Sequence, residues 1–265
     1  MNLHENVIFN SDFMNLIRPI RIAEQIRLGR SNDGGYVVPS IAISNTTHLI
    51  SIGYGNDASF EFEFIERGAK KVFLFDDKSS IIFHIKEVFI SLIGRFVKGK
   101  DFHPRKTVSD LKYFLKVLSN SKIQFKKKSL VPIAQTRKNI DFQNLFEEIP
   151  IENAAVKIDI EENEYACFSQ FVIPQRITLL IIEFHEIQKN LPSFQRIIKM
   201  LKQNFCITNV HINNFGHINE GIPSTIEMVF LNKKFVEKED SFVAAIPSNI
   251  DHPNSVRFPE IYYTY

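Results

Sequence analysis

Residues 51–77 read "SIGYGNDASFEFEFIERGAKKVFLFDD". With His48 to Ile50 in front, "HLISIG" is an apolar run of strand length that stops at Gly53. "DASFEFEFIERG" (57–68) follows as a helix, with Asp57 near its N-cap and Gly68 at its C-cap. "KKVFLFDD" (70–77) is a second strand, apolar until two aspartates close it. Strand, helix and strand in so short a span make a βαβ unit, and hence a parallel sheet. "SIIFHIKEVFISLIG" (80–94) continues the alternation as a helix.

The turn between the first strand and its helix carries Gly53, Gly55 and Ala58, which satisfy G-x-G-x-x-A. Glycines there let the backbone turn tightly and approach a ligand closely, and an acid about 20 residues on can hold ribose hydroxyls. Asp76 stands at that place, with Asp77 beside it. The pattern serves NAD enzymes and S-adenosylmethionine (SAM) enzymes alike. Asn56 and Asp57 follow Gly55 at once. A carboxylate there opposes a pyrophosphate, which uses the positive end of the helix. It suits the ammonium of an amino-acid ligand, such as the methionine part of SAM.

Further along, "AAVKIDIE" (154–161) and "ITLLIIEFH" (177–185) are buried strands that end in acids. Ligands of open parallel sheets sit beyond the carboxyl ends of the strands. Asp76, Asp159, Glu161, Glu183 and His185 should therefore crowd one rim. His185 and Glu183, two apart, share a face. His185 is a candidate general base, because an ordinary imidazole titrates near neutrality. Asp159 is a candidate to orient the acceptor, the histidine or the SAM ammonium. Glu164 reads as a favourable acid at the start of the next helix. His211, Asn213 and Asn214 in "VHINN", with Glu161 and Glu183, are candidate acceptor-binding groups. Asp159, Glu183, His185 and His211 are all possible metal donors, but no tight ligand motif joins them, and no metal is expected.

The remaining segments frame this unit. "RSNDGGYVVP" (30–39) carries a hairpin-turn signal. It reads as a hairpin covering one edge of the sheet, or as a loop closing over the acceptor with Asp33 or Tyr36 in contact. The stretch 95–135 is an insertion with a helix over 107–120 and a possible strand in 122–134. The run Lys126, Lys127, Lys128 reads as a solvated edge. "SFQRIIKMLKQN" (193–204) is an amphipathic helix, "FCITNVHINN" and "STIEMVFLNKKFV" are closing strands, and the segment after Phe235 reads as loops.

Composition narrows the class. The 265 residues are 44% hydrophobic and 23% charged, ordinary for a globular chain with a full core. A net charge of +2 gives no electrostatic reason to expect nucleic acid. Cys167 and Cys206 form no C-x-x-C pair, which fits a reducing cytoplasm. "MNLHENVIFNSDF" lacks the basic start and apolar core of a signal peptide, and no apolar run matches the ~20 residues of a membrane span.

"LISIGYGNDASFE", "VFLFDD", "VKIDIEENEYACF" and "LLIIEFHEI", in that order, resemble the FkbM-type SAM-dependent methyltransferases. The resemblance covers about residues 45–235. In its K-I/V-D-I/V-E-G-x-E block, Lys157, Asp159, Glu161 and Glu164 match, and Glu162 replaces the glycine. The resemblance implies an α/β, Rossmann-like class I methyltransferase sheet with helices on both faces. It also implies methyl transfer from SAM to an oxygen of a sugar, surface-glycan precursor or related small molecule. One domain is expected over 1–265: an N-terminal extension (1–45), a SAM-dependent catalytic core (46–236) and a tail (237–265). Gly53, Gly55, Asn56, Asp57, Asp76, Asp77 and Asp159 are the expected cofactor ligands. An NAD-dependent oxidoreductase or sugar-nucleotide enzyme, and a catalytically silent binding module, are the alternatives.

Overall fold

The computed structural model describes residues 8–98, 104–149, 152–161, 163–169, 173–236 and 241–265. Seven apolar segments form its central sheet: β1 (His48–Ile52), β2 (Lys71–Phe75), β3 (Ile123–Lys126), β4 (Ala154–Ile158), β5 (Leu179–Phe184), β6 (Phe205–Ile212) and β7 (Ile226–Asn232). Their order is β6-β7-β5-β4-β1-β2-β3. The pairs β1/β2, β1/β4, β2/β3 and β4/β5 are parallel. β7 runs antiparallel to both β5 and β6. This is a doubly wound, Rossmann-like α/β sheet, with a reversed strand inserted next to the edge.

Among the described residues eight α-helices accompany it: α1 (Ser11–Leu16), α2 (Ser40–Ser44), α3 (Ser59–Glu66), α4 (Ile81–Lys98), α5 (Pro104–Ser119), α6 (Phe142–Glu148), α7 (Glu164–Ser169) and α8 (Leu191–Leu201). Parallel strands covered on both faces are apolar on both. Ile50, Ile52 and Phe75 pack on one side with α1, α6, α7 and α8. Leu49, Val72 and Leu74 pack on the other with α3 and α5. α4 is the exception. It turns His84 and Ser91 inward and leaves Ile82 79% and Phe89 63% exposed. Among the described residues no helix is long and apolar enough to cross a membrane.

Register sets the position of the site. Ile52 pairs with Phe75 and with Ile158, and Ile158 pairs with Ile182. The chain therefore leaves β1, β2 and β4 at one level, which brings Gly53, Asp76 and Asp159 into a row on the carboxyl edge. Glu183 continues the row, opposite Glu227 of β7, which in turn faces His211 of β6.

Several details differ from the sequence expectations. The N-terminal hairpin pairs Gln25–Leu28 with Tyr36–Pro39 and packs over the edge strand β6 and its neighbour β7. Its connection is too long for a two-residue turn, and Arg27 fills it by donating to the carbonyls of Arg30, Asn32 and Gly35. α8 begins at Leu191, where Pro192 suits a first turn. The tail pairs Ala245–Ile246 with Tyr263–Thr264 instead of running only in loops. Glu162 lies outside the described residues.

The tail is clamped by Asn214, which is 1% exposed. Its Nδ2 donates to the carbonyls of Ser255 (2.8 Å) and Phe258 (2.9 Å), and its Oδ1 accepts from Ser255 N at 2.8 Å. Asn214→Ala leaves several buried backbone groups unpaired and is expected to cost about 2–4 kcal/mol in urea unfolding. It should also speed amide exchange over residues 255–259. Unchanged exchange there would show that other contacts hold the tail.

Candidate active site

The glycine turn is built by close approach. Gly53 has φ +93°, and a Cβ on it would lie 1.9 Å from the Asp159 carbonyl oxygen. Only glycine lets the ends of β1 and β4 meet so closely. Gly55 is different: at φ +55°, an added Cβ meets nothing within 4 Å. It faces a cleft of about 260 Å³ lined by Ile52, Phe75, Leu130 and Ile160, with Asp76, Asp77, Asp159 and Glu161 among its polar walls. Asp76 fastens the turn to β2. Its Oδ2 accepts from Tyr54 N (3.1 Å) and its Oδ1 from Ser79 N (2.6 Å).

Asn56 and Asp57 do not line this cleft. Asp57 accepts from Ser59 N and Oγ and pairs with Arg30 at 2.9 Å. Its carboxylate pairs with Arg30 of the N-terminal loop and does not line the cleft, where the sequence pattern had placed it. The cleft also includes Lys78, Lys128, Ser129 and Asn163, which sequence reading missed. Lys128 had a signal in the basic run 126–128. Lys126 and Lys128 converge on Glu148 at 3.2 and 3.3 Å, and this turns Lys128 toward the cleft wall instead of open solvent. The 95–135 segment thus contributes to the cleft through residues 128–130.

Behind the turn lies a buried cation. Lys157 Nζ donates to the Gly53 carbonyl at 3.2 Å, sits 3.8 Å from Glu61 Oε1 and lies 5.6 Å from the Tyr36 ring centroid. Glu61, 1% exposed, also accepts from Ser51 Oγ at 2.5 Å. Burial works against the Lys157 charge, but Glu61, Asp159 and Asp57 outweigh it and raise its pKa. Tyr36, 3% exposed and edge-on to Phe60, belongs to this wall rather than to an open acceptor surface.

On the other side of Asp159 the rim is crowded with carboxylates around one imidazole. His185 Nδ1 is 3.1 Å from Glu164 Oε1. Its Nε2 is 3.6 Å from Glu161, 3.8 Å from Glu183 and 4.0 Å from Asp159. Glu164 does start α7, but its side chain is fully buried and serves His185. Burial raises Asp159 to about 6, against the pull of Lys157 and His185. Burial, then Asp159 and Glu227, pushes Glu183 well above the carboxylate range. For His185, burial lowers the pKa, but the Glu164 hydrogen bond and the charges of Glu183, Glu164 and Asp159 carry it to about 9. The surrounding carboxylates thus favour the charged ring in the free site and set His185 apart from an ordinary imidazole. Asp33, exposed on the N-terminal loop, approaches Glu183 and Glu227.

The remaining candidates are committed to structure. His211 is 1% exposed, with Nδ1 3.3 Å from Glu227 and Nε2 3.2 Å from Glu260. Those hydrogen bonds outweigh burial and raise its pKa. Asn213 donates to Glu183 at 3.1 Å and accepts from Phe215 N. Asn214 is the tail clamp. Of these three, Asn213 reaches Glu183 and His211 reaches Glu227, at the far end of the rim.

No family model matches the chain, and no curated protein matches it. Among solved structures, an rRNA methylase from Streptococcus thermophilus is 11% identical, covering 72% of this chain and 92% of its own, with a TM-score of 0.37. A Streptococcus mutans protein assigned as a methyltransferase, in complex with SAH, is 14% identical over 72% of this chain and 95% of its own, TM-score 0.37. A dimethyladenosine transferase from Plasmodium falciparum is 10% identical over 86% and 64%, TM-score 0.36. At such values, function has to be read from this chain's own geometry.

Lys157→Met removes the cation and leaves Glu61 buried and uncompensated. The expected loss is about 3–5 kcal/mol in denaturant unfolding. A loss below about 1 kcal/mol would mean that the pair does not hold the turn.

Proposed function

We propose that the protein is a SAM-dependent O-methyltransferase of the FkbM type, acting on a hydroxyl of a sugar, surface-glycan precursor or related small molecule. The observation that carries this is the open face of the glycine turn. Gly55 opens on a cleft that holds the acidic end of β2 on one side and the Asp159 rim on the other.

The residues present fit the cofactor. Asp76 spends one lone pair of each oxygen on a backbone N–H, and its others suit ribose hydroxyls. Phe75, Leu130 and Ile160 supply apolar wall for a base. Asp159 and Glu161 border the cleft where the reacting end would lie. Bound SAM would supply a methyl group already activated by a sulfonium leaving group.

The chain's own task is then orientation and proton removal. Asp159 is shared by cleft and rim, so it can receive the acceptor hydroxyl. Glu183, fixed by Asn213, and His185, fixed by Glu164, form the floor beneath it. The hydroxyl proton passes to the carboxylate rim as the oxygen is methylated. The same carboxylates disfavour a nucleic-acid acceptor, whose phosphates they would repel.

Gly55→Val fills the open space and is expected to abolish SAH binding in calorimetry while the circular dichroism is kept, with a lowered melting temperature because a β-branched residue is strained at φ +55°. Asp76→Ala should weaken SAM and SAH alike by about 1.5–3 kcal/mol. An unchanged SAH affinity in Gly55→Val would overturn the cofactor assignment. A thermal shift with NAD but not SAH would favour an oxidoreductase instead. Incubation with labelled SAM and a panel of sugar-nucleotide and capsule precursors tests the acceptor. SAH binding with no labelled product from any of them would favour a silent binding module.

A further inference from the structure

The imidazole of His185 is presented in a way that hydrogen bonding alone does not explain. Its Nδ1 is tied to Glu164, but its Nε2 faces three carboxylates at 3.6, 3.8 and 4.0 Å. Those separations are too long for hydrogen bonds. They are the separations of groups that share an ion: two ligands about 2.0–2.3 Å from a common cation lie about 3–4 Å apart. One donor atom each from Asp159, Glu161 and His185 all lie within 4.8 Å of one another.

A second observation comes from behind the ring. Glu164 is fully buried, and its Oε2 has no hydrogen-bond partner among the described residues. A carboxylate on one imidazole nitrogen fixes the tautomer and aims the other nitrogen, as it does for ligating histidines. The charges point the same way. Asp159, Glu161, Glu164, Glu183, Asp33 and Glu227 converge from two strand ends, β7, α7 and the N-terminal loop. The cations facing them are His185, Lys157 and His211; Lys157 is spent on Glu61 and Gly53, and His211 on Glu227 and Glu260. Partly buried carboxylates in such excess are costly unless a positive charge joins them. The neighbouring trio Asp33, Glu183 and Glu227 offers oxygens alone, and asparagines already donate to Glu183 and Glu227.

We propose that Asp159, Glu161 and His185, with Glu183 at their back, bind one divalent cation of the Mn²⁺ class. Two carboxylates and one imidazole suit Mn²⁺ better than Ca²⁺, which takes oxygen donors. The cation takes the place of the proton on Nε2, since a ligating histidine is neutral. Asp159 and Glu161 also line the cleft, so the cation stands where an acceptor hydroxyl would be polarised. That role rests on the methyl-transfer reading; the binding itself does not.

The test is Mn²⁺ binding to chelator-stripped full-length protein, followed by electron paramagnetic resonance and equilibrium dialysis, with SAH calorimetry run alongside. One Mn²⁺ per chain and a raised melting temperature are expected. Glu164→Gln should weaken Mn²⁺ by about 10–100-fold with its circular dichroism unchanged. Glu161→Gln, whose side chain is 73% exposed and cannot carry the fold, should weaken it by about 10-fold or more. No binding by the parent protein, or equal Mn²⁺ affinity in Glu161→Gln, overturns the site. SAH binding without Mn²⁺ removes the cation and leaves methyl transfer standing. Mn²⁺ binding without SAH supports the site and removes its role in methyl transfer.

Discussion

Lys157 Nζ lies inside the molecule, held between the Gly53 carbonyl and Glu61. An ammonium in that place must be satisfied from several directions, and each partner belongs to a different element. Gly53 ends β1, Glu61 belongs to α3, and the Tyr36 ring comes from the N-terminal hairpin. The pair therefore sets the distance of α3 from the sheet and the height of the glycine turn together. The same lysine lies two residues before Asp159. Fixing Lys157 toward one face of β4 fixes where the strand leaves the sheet, and with it the first carboxylate of the rim.

The sheet then distributes the chemistry. A parallel register that brings Ile52, Phe75, Ile158 and Ile182 level leaves the residues just after them side by side. None of Gly53, Asp76 and Asp159 needs a loop of special length to reach its neighbours. The reversed β7 extends the row by carrying Glu227 opposite Glu183. Cleft and carboxylate rim are thus two stretches of one edge, with Asp159 common to both.

Much of this was legible in the sequence because it is local. The βαβ unit, the glycine turn and the acids at strand ends follow from apolar runs and their punctuation. What escaped was set by partners far along the chain. Asp57 has the position of a ligand, but Arg30 claims it. Glu61 looks like an ordinary polar residue of a helix until Lys157, from another strand, reaches it. His211 and Asn214 had the spacing of acceptor-binding groups, yet Glu260 and the backbone around Ser255 and Phe258 occupy them. His185 stands at the end of its strand, beside the rim, but its acidity depends on Asp159, Glu164 and Glu183, which no local pattern brings together.

The clamp on the tail has a temporal side. Asn214 is separated by 41 and 44 residues from the carbonyls it donates to, and His211 by 49 from Glu260. On a ribosome, β6 and β7 emerge well before those partners exist. During that interval the polar groups of Asn214 and His211 have only water and Glu227 to bond with. The edge of the sheet that carries Glu227 and Glu183 is consequently the last part of the rim to acquire its final surroundings.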